Sequence, residues 1–167
     1  EAARQADLSA RLDALKALQE KLKVDGKLQP WLAKHGLDGL QGLWSRIHVE
    51  PGWENALESA LRERLAALPV GRLDMVRGFL GAGASDAPPA RLAFYSAPAN
   101  AQPEPASGQP RLSDLLRVDN AGLRAVLVDW LQGCHTAQSL EEALDRRAQV
   151  QPGEAIYVAG GHAVTAH

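Results

Sequence analysis

The feature that most constrains the fold is a local pattern that occurs twice along the chain. Each occurrence has a short apolar segment, then one acidic residue, then a stretch whose apolar residues recur at helical spacing. The first occurrence has a strand-like segment at 43–49, Glu50, and a helix predicted over 52–67. Pro51 ends the strand because proline donates no ladder hydrogen bond and restricts φ. The second occurrence starts at residue 112, places Asp119 where Glu50 stood, and continues as a helix that ends near Trp130.

Both occurrences are followed by the same further elements. A second helix is predicted over 72–80 and again over 139–148, where Ser139 and two following glutamates favour a helix start. A closing strand is predicted at 91–95 and again at 155–159. The sequence therefore predicts an α/β (α+β) fold of two pseudo-repeated strand–helix–helix–strand subdomains. Chance similarity between two segments rich in alanine and leucine is the alternative.

The predicted subdomains, residues 43–96 and 111–167, are separated by residues 97–110. This segment is rich in proline, alanine, glutamine and serine and has few apolar side chains to bury. Such a composition is typical of a mobile connector. A subdomain of about 60 residues with few strands leaves sheet edges uncovered, so two of them would cover each other or pair with a second chain. The pattern thus favours a dimerisation module.

Residues 1–25 are predicted to form the end of a coiled-coil arm. Leu8, Leu12, Leu15 and Leu22 follow heptad spacing within a surface of mixed charge. An ordinary amphipathic helix lying on the domain is the alternative, because so few heptads cannot decide between the two. Glycine-rich residues 26–42 are predicted to form a junction of helical turn and loop.

Composition sets outer limits on function. The net charge of −2 provides no overall positive field for nucleic acid, although a local basic patch remains compatible with it. Cys134 is the only cysteine, which rules out an internal disulfide and suits a reducing cytoplasm. No apolar run is long enough to span a membrane. The only methionine is Met75, so the chain is expected to be a piece of a longer protein.

The residues give little support to catalysis or to cofactor binding. The glycines of segment 81–83 lack the lysine and hydroxyl residue of a phosphate-binding loop. Cys134 and His135 are neighbours at a predicted helix end, whereas a nucleophile pair needs spatial apposition. His162 and His167 lack an evident third metal ligand. The sequence predicts no catalytic residue, no metal site and no cofactor in this segment.

Three stretches together resemble the hinge domain of structural maintenance of chromosomes (SMC) proteins of the bacterial condensin type. They are GLDGLQGLWSRIHVEPGWENALESAL (36–61), LLRVDNAGLRAVLVDWL (115–131) followed by SLEEAL (139–144), and GEAIYVAGGHAVT (153–165). The resemblance implies two α/β subdomains and homodimerisation into a ring that closes around DNA. It also implies ATPase heads, with kleisin-type partners, elsewhere in a cytoplasmic, nucleoid-associated bacterial protein. The sequence departs from the family pattern at 162–167, which lack the glycines that commonly follow the last strand.

Two sets of site residues are predicted from these considerations. Edge strands and glycines allow two backbones to approach closely. On this basis the predicted dimer interface comprises Leu92, Phe94, Ile156, Tyr157, Val158, Gly160 and Gly161. Weak, sequence-indifferent DNA contact near the arm junction is predicted for Lys21, Lys23, Lys27, Lys34 and Arg46, with a solvated helix surface as the alternative. Two other functions stay open: a small α/β ligand-binding or enzymatic domain, and a coiled-coil adaptor that binds other proteins.

Overall fold

The computed structural model describes residues 2–80, 87–100 and 102–167. The glycines at 81–83 lie outside the described residues. The chain divides into two compact units, one formed by Glu1–Leu40 with Val76–Leu92 and the other by Gln41–Met75 with Ala93–His167. The predicted mixed α/β fold behind an N-terminal helix is confirmed, and most of the regular structure lies in the second unit.

The described elements are mostly short apart from the first helix. The helices are α1 (Ala2–Lys34), α2 (Glu54–Leu61), α3 (Val76–Leu80), α4 (Ala121–Trp130) and α5 (Leu140–Asp145). The strands are β1 (His48–Val49), β2 (Leu68–Pro69), β3 (Phe94–Tyr95), β4 (Leu116–Arg117), β5 (Cys134–Thr136), β6 (Ala155–Tyr157) and β7 (Ala163–Val164). Short 3-10 helices span Leu43–Arg46, Arg62–Ala66, Leu73–Met75, Leu112–Leu115 and Arg147–Gln149.

Helix α1 dominates the first unit and runs past the predicted end at residue 25. It continues through Gly26 and Pro30 to Lys34. It ends in a Schellman motif: Gly36 takes φ +72°, its N–H donates to the carbonyl of Ala33, and the N–H of Leu37 donates to the carbonyl of Leu32 at 2.8 Å. The helix therefore includes part of the segment that the sequence predicts as a junction.

The leucine seam of α1 is exposed. Leu8, Leu12 and Leu15 keep between 52% and 66% of their surface accessible, while the side chain of Leu22 lies outside those that the structure describes. A regular row of exposed leucines is what one strand of a coiled coil presents to its partner helix. None of the described helices is both long and apolar enough to span a membrane.

The strands of the second unit form three small sheets. Strand β1 pairs with β4 in antiparallel orientation, and β2 pairs with β3 in parallel orientation. Strand β6 is the centre of a three-stranded sheet, parallel to β5 and antiparallel to β7. The pairing of β1 with β4 joins the two occurrences of the sequence pattern side by side.

Two strands were missing from the predicted element order. The structure places β2 after α2 and β5 after α4, so residues 48–95 and residues 116–157 both run strand, helix, strand, helix, strand. Cys134 and His135 consequently lie in β5, and the prediction that they end a helix is wrong. Strands of two or three residues are too short for the alternation that identifies a strand in sequence.

The second unit has two apolar clusters. The larger one combines side chains from both occurrences of the pattern, with Leu43, Leu112 and Leu127 fully buried. The smaller one is built from α5, the three-stranded sheet and their connections, and contains Ala137, Ala143, Val150, Ile156, Val158 and Val164. Trp53 is buried in the larger cluster and Trp130 packs against it, whereas Trp44 is 64% exposed.

Candidate interaction site

The predicted interface residues of the closing strand lie inside the sheet. Ile156 is fully buried and Val158 is 7% exposed, both within the smaller apolar cluster, while Tyr157 is half-buried. Because β6 pairs with β5 on one side and β7 on the other, its backbone has no open edge. The sequence analysis selected this strand as an edge strand, and β6 is not one. A role for Ile156, Tyr157 and Val158 in an interface stays a prediction.

The open edges belong to other strands. Every described strand except β6 pairs with one other strand only, and the two that carry or adjoin predicted interface residues are β7, paired with β6, and β3, paired with β2. Ala163 of β7 is exposed, and Phe94 of β3 is half-buried. Unpaired strand edges are templates for pairing with another chain. An open edge therefore supports β7 and β3, and not β6, as strands that could pair with another chain.

Gly160 and Gly161 form the turn between β6 and β7, but their surroundings differ. The N–H of Gly161 donates to the carbonyl of Val158 at 2.9 Å, and its φ is +89°. A Cβ on Gly161 would lie 3.0 Å from Oγ of Ser59 and 3.1 Å from the carbonyl oxygen of Asn55, so the turn rests directly on α2. A Cβ on Gly160 would contact only its near neighbour His162, at 3.6 Å.

An apolar groove lies beside Phe94. Its volume is about 360 Å³ and its lining includes Leu73, Phe94, Tyr95, Val126, Asp129 and Trp130. The rings of Tyr95 and Trp130 meet edge to face, with centroids 6.2 Å apart. Leu73 is 58% exposed. Exposed apolar surface of this kind marks contact sites for other molecules. Leu92, the other interface residue predicted in this half, is half-buried and belongs to the first unit.

The residues predicted to contact DNA lie in both units. Lys27 and Lys34 are exposed on α1, separated by about two helical turns and so on one face. Lys21 and Lys23 also lie in α1, and their side chains are outside those that the structure describes. Arg46, in the second unit, is exposed, and its Nη1 donates to the hydroxyl of Tyr95 at 3.3 Å.

The titratable side chains near β5 show no arrangement suited to nucleophilic chemistry. Burial raises the pKa of the Cys134 thiol, although the charge of Arg64 opposes the shift. A thiol with a raised pKa supplies little thiolate. Nε2 of His135 lies 3.3 Å from Oε2 of Glu154, not against the thiol. Within the part of the chain that the structure describes, no three His, Cys, Asp or Glu side chains are placed to hold a metal ion.

Sequence reasoning missed an ionic cluster that holds Glu104 of the connector against α4. Oε1 of Glu104 accepts from Nε of Arg124 at 2.7 Å, and Oε2 accepts from Nη2 of Arg111 at 3.2 Å. Hydrogen bonding from Arg124 holds the pKa of Glu104 below its usual range. Arg111 also pairs with Asp114, 2.9 Å away. The connector therefore has specific partners, whereas its composition predicted none.

Comparison with known proteins yields consistent similarities. The family described as "SMC proteins Flexible Hinge Domain" matches residues 38–147. The chain is 75% identical over 168 residues to the chromosome partition protein Smc of Delftia acidovorans, covering all of this chain and 14% of that protein. The chain thus spans a small part of that relative's length.

Two solved structures share the fold. The Pyrococcus furiosus Smc hinge domain with an extended coiled coil matches with a TM-score of 0.63 at 18% identity, covering 95% of this chain and 57% of that one. An asymmetric dimer of the Geobacillus stearothermophilus SMC hinge domain matches with a TM-score of 0.58 at 19% identity, covering 98% of this chain and 77% of that one.

Proposed function

The chain belongs to the family of SMC flexible hinge domains, and we propose that it joins two copies of a chromosome partition protein by self-association. The observation that carries the proposal is the open edge of β3 beside the apolar groove at Phe94, and the open edge of β7 offers a second place for pairing. Pairing these edges with a second copy would satisfy backbone groups and cover apolar surface in one contact. The Geobacillus relative is described as a dimer, which supports the same assignment.

We infer an internal repeat within this hinge. Its support is the common order of elements in residues 48–95 and 116–157, and the pairing of β1 with β4, which hold equivalent places in that order. On this basis residues 43–96 and 111–167 are two subdomains joined by 97–110, and the leucine seam of α1 is the end of a coiled-coil arm that includes residues 1–25. Two similar subdomains in one chain are well suited to symmetric pairing with a second chain.

The wider role follows from the family and is part of the proposal. The hinge would connect two arms of a ring that encloses the bacterial chromosome in the cytoplasm. The ATPase heads and their kleisin-type partners would lie in other parts of the full protein, and this segment would perform no chemistry. Its action would be mechanical, since the strength of the hinge contact determines whether the ring stays closed.

Light scattering on a sizing column tests self-association directly. We expect a mass twice the 17.9 kDa of the chain, and we expect it to persist when residues 1–30 are deleted. A charge placed in the groove by Phe94→Asp should shift the equilibrium to monomer at micromolar concentration, because a desolvated carboxylate opposes the contact. Leu144→Asp is the matched control, since Leu144 is exposed on α5 and does not line the groove.

The alternatives predict different masses. A dimer that is lost on deletion of residues 1–30 would place pairing in α1 alone, which would favour the adaptor function. If the full chain and the chain without residues 1–30 were both monomers, the proposed self-association would be wrong, and a ligand-binding domain would be favoured. Circular dichroism of Phe94→Asp distinguishes loss of the interface from loss of the fold.

We propose weak DNA binding by α1 as a second function. It is supported by the two lysines, Lys27 and Lys34, that share an exposed face of the helix. Lys27→Glu with Lys34→Glu should weaken binding to a duplex measured by fluorescence anisotropy. It should also reduce the slope of log affinity against log salt by about 2, because each phosphate contact contributes about 0.9. Arg4→Glu, at an exposed site on a different face of α1, is the control, and an unchanged slope in the double variant would contradict the assignment.

A further inference from the structure

We propose that the connector is a strap held closed over α4 by an ionic clasp, and that opening the clasp uncovers the apolar face of α4. The strap comprises residues 97–100 and 102–105, and the clasp is formed by Glu104, Arg111 and Arg124. The strap and the clasp both lie within the second unit, so their behaviour can be measured in a single chain, whether or not that chain self-associates. The effect of an open strap on the neighbouring groove rests on the proposed function.

The clasp has a preformed cationic side. Arg124 is fixed by its own hydrogen bonds, because Nη1 donates to the carbonyl of Ser113 at 2.6 Å and to that of Leu116 at 3.2 Å. Its Nε and Nη2 remain directed at Glu104, at 2.7 and 3.4 Å. Arg111 adds a bond to the carbonyl of Pro105 at 3.0 Å. The carboxylate of Glu104 therefore enters a site that α4 and its neighbours already hold in place.

The other end of the strap is anchored by a close backbone contact. A Cβ built on Gly122, in the first turn of α4, would lie 2.8 Å from the carbonyl oxygen of Pro98 and 3.1 Å from Cβ of Ala97. Glycine is the residue that lets two backbones approach this closely. The strap is thus held near Gly122 at one end and by the clasp at the other.

Between its two anchors the strap spans a cavity instead of packing against the helix. The cavity has a volume of about 330 Å³ and is lined by Pro98, Pro103, Ala125, Val128 and Asp129 among others. Pro98, Ala125 and Asp129 also line the groove beside Phe94. If the strap lifts, the cavity and the groove become one apolar surface along α4. The strap would thereby limit how much of that surface a second copy of the chain can reach.

The clasp is accessible to solvent, so its strength suits a reversible device. The side chain of Glu104 is 35% exposed, and ion pairs of this exposure are weakened by salt. Loss of such a pair changes an equilibrium by about fivefold. Because a cavity lies beneath the strap, the strap depends on the clasp at one end and on the contact near Gly122 at the other.

Nitrogen-15 relaxation of the full chain tests the strap. In the wild type we expect order parameters near 0.85 for the amides of Asn100, Gln102 and Glu104, and in Glu104→Ala we expect lower values, because a larger share of the molecules then has a flexible, open strap. Gly122→Ala should loosen the strap from its other end while Glu104 is intact. Glu58→Ala, at an exposed position of α2, is the control and should leave the strap unchanged. Raising the salt concentration to 1 M should loosen the wild type and have little effect on Glu104→Ala.

Order parameters below 0.6 in the wild type at low salt, or unchanged values in Glu104→Ala, would overturn the proposal. If Gly122→Ala fails to fold, the Glu104→Ala and salt measurements decide alone. The molecular mass, measured on the same samples, separates a failed strap from a failed hinge contact, because the order parameters do not require a dimer.

Discussion

Gly161→Ala is expected to lower the free energy of unfolding by about 2–4 kcal/mol. Two causes act together at this turn. The φ of +89° is unfavourable for any residue with a Cβ, and the new methyl group would meet Ser59 and the backbone of Asn55 within 3.1 Å. The turn would have to lift from α2 to admit it. Urea denaturation followed by circular dichroism measures the loss.

Gly160→Ala is the matched control for this substitution. Gly160 is exposed, lies outside the positive-φ residues, and has 3.6 Å of clearance for a Cβ. Its effect on stability should stay within about 0.5 kcal/mol. Equal losses for both variants would contradict the assignment of Gly161 to the contact with α2.

The same pair of variants refines the predicted interface. Both glycines were selected because glycine permits close approach, but the structure gives Gly161 an intramolecular neighbour and leaves Gly160 open. A dimer weakened by Gly160→Ala at unchanged stability would support an intermolecular contact there. A dimer weakened only by Gly161→Ala, together with lost stability, would reflect misfolding of the turn.

Helices α2 and α4 could be predicted because each has more than two turns with one apolar face. The start of α5 was also readable: Oγ of Ser139 accepts from the N–H of Glu142 at 3.1 Å, as the sequence indicated. The end of α2 could not be predicted from the sequence. The apolar spacing continues past Leu61, but Arg62 takes φ +50° and begins a 3-10 helix. The spacing of apolar residues does not show where an α-helix changes to a 3-10 helix.

The candidate site was less predictable because it depends on pairing between distant residues. Whether β6 is an edge or a centre depends on β7, which returns across the turn at Gly160 and Gly161. The partner of Glu104 is Arg124, twenty residues further along the chain. The composition of 97–110 shows that the connector has few apolar side chains to bury. It cannot show that an arginine of α4 will lie within hydrogen-bond distance of Glu104.

Arg124→Ala is expected to cost about 2–4 kcal/mol, far more than Glu104→Ala, which should cost about 1 kcal/mol. The difference arises because Arg124 serves two purposes. It completes the clasp, and it also satisfies the carbonyls of Ser113 and Leu116, beside a buried part of the larger apolar cluster. Removing the guanidinium leaves both carbonyls without that donor and leaves Glu104 paired with Arg111 alone. Arg117→Ala, at an exposed position of β4, should change stability by less than about 0.5 kcal/mol.

A double-mutant cycle separates the two purposes of Arg124. The coupling between Glu104→Ala and Arg124→Ala should be only about 1 kcal/mol, which leaves most of the Arg124 loss to the two carbonyls. Chemical denaturation of the wild type, both single variants and the double variant supplies the four values required. If Arg124→Ala cost no more than Glu104→Ala, the guanidinium would act on the strap alone. A coupling near zero would mean that the observed ion pair does not hold the strap.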